Sequence, residues 1–101
     1  MEYNKLVRDK IPEIIKNRGE TPIIHIAEAK EYEEALREKL YEEVVEFLET
    51  PSVEEAADIL EVLHSMCNLK GINLQTLEKV RQKKAEDRGS FKQRIILDRT
   101  E

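Results

Sequence analysis

Hydrophobic and polar positions alternate along this chain with helical spacing over most of its length. From about Glu28 to Glu49, Leu36, Leu40, Val44 and Phe47 fall at i, i+4, i+8 and i+11, which lines one face of a long amphipathic helix. From Ser52 to Gly71 the apolar residues are denser: Ala56, Ile59, Leu60, Val62, Leu63, Met66, Cys67 and Leu69 cover well over half of the circumference. A helix that apolar is expected to be buried on two sides, against its own chain and against a partner subunit. Ser52 followed three residues later by Glu55 reads as a capping box, and Gly71 reads as the C-terminal stop. Asn73 predicts the cap of a last helix running to Arg88 before Gly89. Upstream, Ile11, Ile14 and Ile15 share one side of a short helix over about Pro12 to Asn17, with Pro12 suited to the first turn. Ile23, Ile24 and Ile26 predict an extended apolar stretch around His25, and Ser90 to Leu97 a short extended arm. The expected fold is a single all-α domain over residues 1–101, with helices two and three antiparallel across Thr50-Pro51-Ser52.

That hairpin gives the acidic residues their interest. Glu42-Glu43-x-x-Glu46 precedes the Pro51 break and Glu55-x-x-Asp58 follows it. Glu46 and Glu55 lie about one helical turn from Pro51 on opposite sides, and Glu43 and Asp58 about two turns. In an antiparallel pair the two clusters face each other level by level. Four unpaired carboxylates so placed repel strongly unless a hard divalent cation with oxygen ligands compensates them, Mg2+ first and Mn2+ second. By helical projection Glu43 falls at the edge of the apolar stripe, Glu46 flanks it, and Glu42 points further toward solvent. Glu43, Glu46, Glu55 and Asp58 are therefore the candidate ligands. The competing reading is that acids flank every apolar stripe of a chain that has 22 of them.

The last helix carries opposite charge. Leu77, Arg81, Lys84 and Arg88 share one stripe, which beside a metal-carboxylate centre suits a polyphosphate chain. Alone, the same stripe reads as solvated surface paired with Glu78, Glu86 and Asp87. Lys5 and Arg8 near the N-terminus are open to both readings. His64 and His25 read as surface or interface residues, and Cys67 as packing.

Composition narrows the function classes. A formal charge of -5 argues against holding polymeric nucleic acid, while 39% charged and 5% aromatic residues suit a salt-bridge-laced helical protein. The Glu and Lys content also fits a heat-adapted source. A core of this size benefits from a second chain, so a homodimer or homotetramer is expected. The N-terminus lacks the apolar core of a signal peptide, no run reaches membrane-spanning length, and one cysteine makes no internal disulfide, all of which suit a cytoplasmic protein with no membrane partner.

Taken in order, Lys39-Leu40-Tyr41-Glu42-Glu43-Val44-Val45-Glu46, Glu55-Ala56-Ala57-Asp58-Ile59-Leu60, Lys84-Ala85-Glu86-Asp87-Arg88-Gly89-Ser90-Phe91 and the opening Asn4-Lys5-Leu6-Val7-Arg8-Asp9-Lys10-Ile11-Pro12 resemble the MazG-like, all-α nucleoside triphosphate pyrophosphohydrolase superfamily. The resemblance covers nearly the whole chain and implies an oligomeric four-helix bundle. It implies Mg2+ held by Glu43, Glu46, Glu55 and Asp58, and a nucleoside triphosphate cut between its α and β phosphates to give the monophosphate and pyrophosphate. A carboxylate, Glu42 or Glu46, would orient the water, and Lys84 and Arg88 would stabilise the leaving pyrophosphate, with Lys5 and Arg8 as further phosphate contacts. Ser90 replaces the family's second glycine, and the spacer between Glu46 and Glu55 is short, leaving no room for a base-reading insertion. The alternatives are phosphoribosyl-ATP pyrophosphohydrolysis and a non-catalytic helical interaction protein.

Overall fold

Helix caps set the element boundaries of the computed structural model, which describes residues 4–101; the first three residues, where the expectation of no signal peptide begins, lie outside it. Four helices and no strand occur among the described residues: α1 (Ile11–Asn17), α2 (Ala29–Glu49), α3 (Val53–Leu69) and α4 (Leu74–Arg88). Pro12 sits in the first turn of α1, where a missing N–H costs nothing. Thr50 donates its N–H to the Glu46 carbonyl to end α2, and Pro51 prevents continuation. The Ser52 hydroxyl then accepts the Glu55 N–H at 3.1 Å to start α3. Only half of the expected capping box forms, since no return bond from the Glu55 carboxylate to Ser52 occurs among the described residues. Asn73 Oδ1 accepts from both Gln75 and Thr76 N–H, at 2.8 and 3.0 Å, to open α4. Gly71 and Gly89 follow α3 and α4 at φ 70° and 83°, a left-handed region that a side chain disfavours.

Packing is concentrated between α2 and α3, which form an antiparallel hairpin. Its pairing is fixed at two levels: Lys70, just past the end of α3, salt-bridges Glu33 near the start of α2, while Glu43 lies opposite Glu55 and Asp58. Leu36, 2% exposed, is the most buried side chain, with Val62 and Cys67 buried on α3. Neither α1 nor α4 has a buried residue, and among the described residues α4 makes no comparable contact with another helix. The two segments expected to be extended lie uncovered, Ile23 96% and Phe91 99% exposed; neither pairs as a strand, and the second is broken by a bend and turn over residues 91–93 with Arg94 at φ 59°.

The result is an elongated chain of 62 × 31 × 24 Å with a radius of gyration of 18.2 Å. A compact chain of this length has a radius of about 13 Å. The accessible surface is 9604 Å², against roughly 6,000 Å² for a folded monomer of this mass. Tyr41 and Leu48 on α2, and Val53, Leu60 and Leu63 on α3, contribute apolar side chains to that surface. No helix is long and apolar enough to cross a membrane.

Candidate metal centre

Glu43 is the residue on which the site is built. It is 6% exposed, and seven residues past Leu36 it projects within about 20° of that core side chain. The same geometry that buries Leu36 thus carries a carboxylate into the hairpin. Across from it α3 presents Glu55 and Asp58, and one ligand oxygen from each of the three lies within 4.8 Å of the others. Glu43 Oε2 and Glu55 Oε2 are buried without a hydrogen-bond partner among the described residues. An orphaned buried polar atom costs about 1–3 kcal/mol, and more when it belongs to a charged group, so two in one cluster leave room for a water or a cation to satisfy them.

Such a donor set suits a hard cation, because it offers only carboxylate oxygens. A cation with bonds of about 2.0 to 2.6 Å holds two oxygens at most about 4.0 to 5.2 Å apart, and of three oxygens around one ion only one pair can be so far apart. The three oxygens, within 4.8 Å of one another, lie near the outer limit of that reach, and Mg2+ at the short end requires the side chains to close around it. Three protein carboxylates also leave coordination positions for water or substrate oxygens, the usual Mg2+ arrangement.

Three protein cations sit against the acids. Lys39 Nζ lies 3.2 Å from Glu43 Oε1 and 3.8 Å from Glu42 Oε1, all on α2. The segment leading into α1 supplies the other two: Arg8 Nη2 donates to Asp58 Oδ1 at 2.7 Å, and Lys5 Nζ to Glu42 Oε1 at 3.4 Å. This segment walls a cleft of about 370 Å³ whose opposite side includes Leu36, Lys39, Glu43, Asp58, Val62 and Ser65. Lys39 and Arg8 offset two of the three clustered carboxylates, so among the described residues one negative charge is left uncompensated.

The structure therefore brings together Glu43, Glu55 and Asp58 and places Glu46 elsewhere. Glu46 is exposed and outside the cluster, since ten residues past Leu36 it projects about 80° from the buried direction. Glu42 lies beside the cluster, held by Lys5 and Lys39. Lys84 and Arg88 are exposed on α4, which contributes no lining to the cleft. Arg81, on the same stripe, is bound within α4 by Glu78; the contact raises the Arg81 pKa and lowers that of Glu78. His25 pairs with Glu31 at 2.9 Å on the exposed side of the chain, and Cys67 is packed in the core. Sequence reasoning missed Lys39 as the partner of Glu43, although its position four residues earlier places it on the same face.

Comparison with known proteins adds a local relationship. An uncharacterized protein of Mycolicibacterium smegmatis is 52% identical over 42 residues, which are 42% of this chain and 43% of that protein. The match thus covers less than half of that relative's length. No family model matches the chain. No solved structure matches it.

Proposed function

We propose that the protein is a Mg2+-dependent nucleoside triphosphate pyrophosphohydrolase of the MazG-like kind, cleaving the α–β phosphoanhydride to give a monophosphate and pyrophosphate. The observation that carries the reading is Glu43: a buried carboxylate, one oxygen of which has no hydrogen-bond partner among the described residues, clustered with Glu55 and Asp58. In this reading Glu43, Glu55 and Asp58 hold the cation, which when bound supplies charge neutralisation of the triphosphate and activation of the attacking water. Glu42, beside the cluster and acceptor-only when ionised, orients that water. Arg8 and Lys5 neutralise phosphate oxygens from the segment that leads into α1, and Leu6, Leu36 and Val62 exclude bulk water from the cleft. Lys84 and Arg88 serve the leaving pyrophosphate only if α4, from the same chain or a second one, approaches the cleft. Self-association fits the excess surface and the uncovered apolar residues of α2 and α3, and a homodimer or homotetramer that completes a helical bundle is part of the reading.

Product analysis tests it directly. Incubation with Mg2+ and a panel of canonical, deoxy- and modified nucleoside triphosphates, with phosphoribosyl-ATP included, is expected to release pyrophosphate, and Asp58→Asn is expected to abolish the release. Orthophosphate as first product excludes α–β cleavage; turnover of phosphoribosyl-ATP alone selects that substrate instead. One observation favours the non-catalytic reading: Lys39 and Arg8 already compensate most of the cluster's charge without any added ion. Under that reading divalent cations leave the melting temperature unchanged.

A further inference from the structure

Arg8 and Lys39 both neutralise clustered carboxylates, but they are attached differently. Lys39 is four residues from Glu43 on one helix, with its side chain only 20% exposed, and stays in place as long as α2 does. Arg8 comes from the segment before α1 and reaches an α3 residue 50 positions away. Its backbone is anchored, because the Arg8 carbonyl accepts the Ile11 N–H at 3.0 Å, while its side chain and that of Asp58 stay substantially open to solvent. An ion pair that exposed is weak and exchanges readily.

The bond nevertheless occupies a specific place. Arg8 Nη2 sits 2.7 Å from Asp58 Oδ1, on the carboxylate that faces Glu43 and Glu55. A guanidinium there and a dication bound by Asp58 repel each other and compete for the same acceptor. When Arg8 lets go, its anchored backbone keeps the guanidinium beside the cleft, where a planar five-donor fork suits a phosphate.

We infer that Arg8 is the exchangeable counter-ion of the Asp58 ligand position: cation entry displaces it, and the displaced guanidinium becomes an anion contact. The inference rests on the cluster holding a divalent cation and adds to that reading a residue with two successive partners. Cation and anionic ligand are thereby coupled, since an anion that takes Arg8 also frees Asp58.

Mn2+ affinity measured without nucleotide reads the first half, and pyrophosphate affinity reads the second. Arg8→Gln is expected to bind Mn2+ up to about five-fold more tightly than the wild type, because a competitor of ion-pair strength is gone. Lys5→Gln removes the same charge from the same segment but releases Glu42, which is outside the ligand cluster, and is expected to leave Mn2+ affinity unchanged. Arg8→Lys, which keeps the charge, is expected to restore wild-type Mn2+ binding and guards against a misfolded Arg8→Gln. With Mn2+ saturating, pyrophosphate is expected to bind Arg8→Gln at least about ten-fold more weakly than wild type, the loss of one charge-assisted contact. Mn2+ binding no tighter in Arg8→Gln than in wild type overturns the inference, and so does an equal gain in Lys5→Gln. No Mn2+ binding by any of the proteins overturns the metal reading beneath it.

Discussion

α3 of the α2–α3 hairpin and α4 are both capped at their N-termini by side-chain oxygens, yet only the hairpin is packed. Ser52 serves one N–H of α3, whereas Asn73 serves two of α4, so by local measure α4 is the better specified helix. Its side-chain ties, Arg81 to Glu78 and Lys83 to Asp87, are three and four residues apart, and no α4 residue is buried. The hairpin instead holds Leu36 at 2% exposure and joins Glu33 to Lys70 across the helices. Local chemistry decides where a helix forms; a continuous apolar stripe decides what it packs on. The candidate site follows the second rule, because Glu43 is buried by riding on the stripe of Leu36.

Truncation is the strongest way to break this contrast. Leu36→Ala is expected to cost about 2–5 kcal/mol as a fully buried residue, whereas Val80→Ala, half exposed on α4, is expected to cost well under 1 kcal/mol. Chemical denaturation monitored by far-UV circular dichroism measures both. A comparable loss in Val80→Ala shows that α4 is packed in the solution assembly.

Ligand-linked melting sharpens the site. At a Mg2+ concentration about 100 times Kd, binding stabilises by about 2.7 kcal/mol, which for a domain of this size raises Tm by about 10 °C or more. Glu43→Gln and Asp58→Asn are expected to lose that rise, and to melt no lower than wild type without metal because one of three mutually repelling carboxylates is removed. Glu46→Gln is expected to keep it. Loss of the rise in Glu46→Gln as well places Glu46 among the ligands, as the spacing around Pro51 suggests.

Cap removal probes the same division at smaller scale. Ser52→Ala and Asn73→Ala each cost a helix about 0.5–2 kcal/mol. The Ser52 change is expected to lower the global midpoint, since α3 is half of the packed pair. The Asn73 change is expected to appear as faster amide hydrogen exchange confined to α4. A global shift from Asn73→Ala joins α4 to the cooperative core.

What the sequence made legible follows these lines. Ser52, Asn73 and Gly89 punctuate the chain through bonds to neighbours two to four residues away, so the boundaries of α3 and α4 were readable directly. The opposition of Glu43 to Asp58 was also readable, because equal helical distances on both sides of Pro51 survive any small change in crossing angle. Glu46 was not, since its facing depends on how α2 rotates about its own axis when Leu36 is buried. Arg8 lies in a segment without periodicity, and nothing local indicates that it reaches Asp58. The placement of α4 was equally hidden: Leu77 and Val80 are too few to select a partner surface.

The smallest expected effect comes from the distal end of the hairpin. Lys70, by a side-chain hydrogen bond first and its charge second, holds the Glu33 carboxyl below the ordinary 4.5. A carboxyl whose pKa is lower folded than unfolded binds fewer protons in the native state. Its contribution is therefore fully present above the ordinary carboxylate range and is lost as pH falls through 4.5 and then through the lower folded value. Because both side chains are largely exposed, the effect is small and screened by salt. Stability curves for wild type and Lys70→Ala are expected to differ slightly at neutral pH and low ionic strength, and to converge below that window. A difference that persists at acid pH assigns the role of Lys70 to the packing of its methylene stem at the end of α3 instead of to its charge.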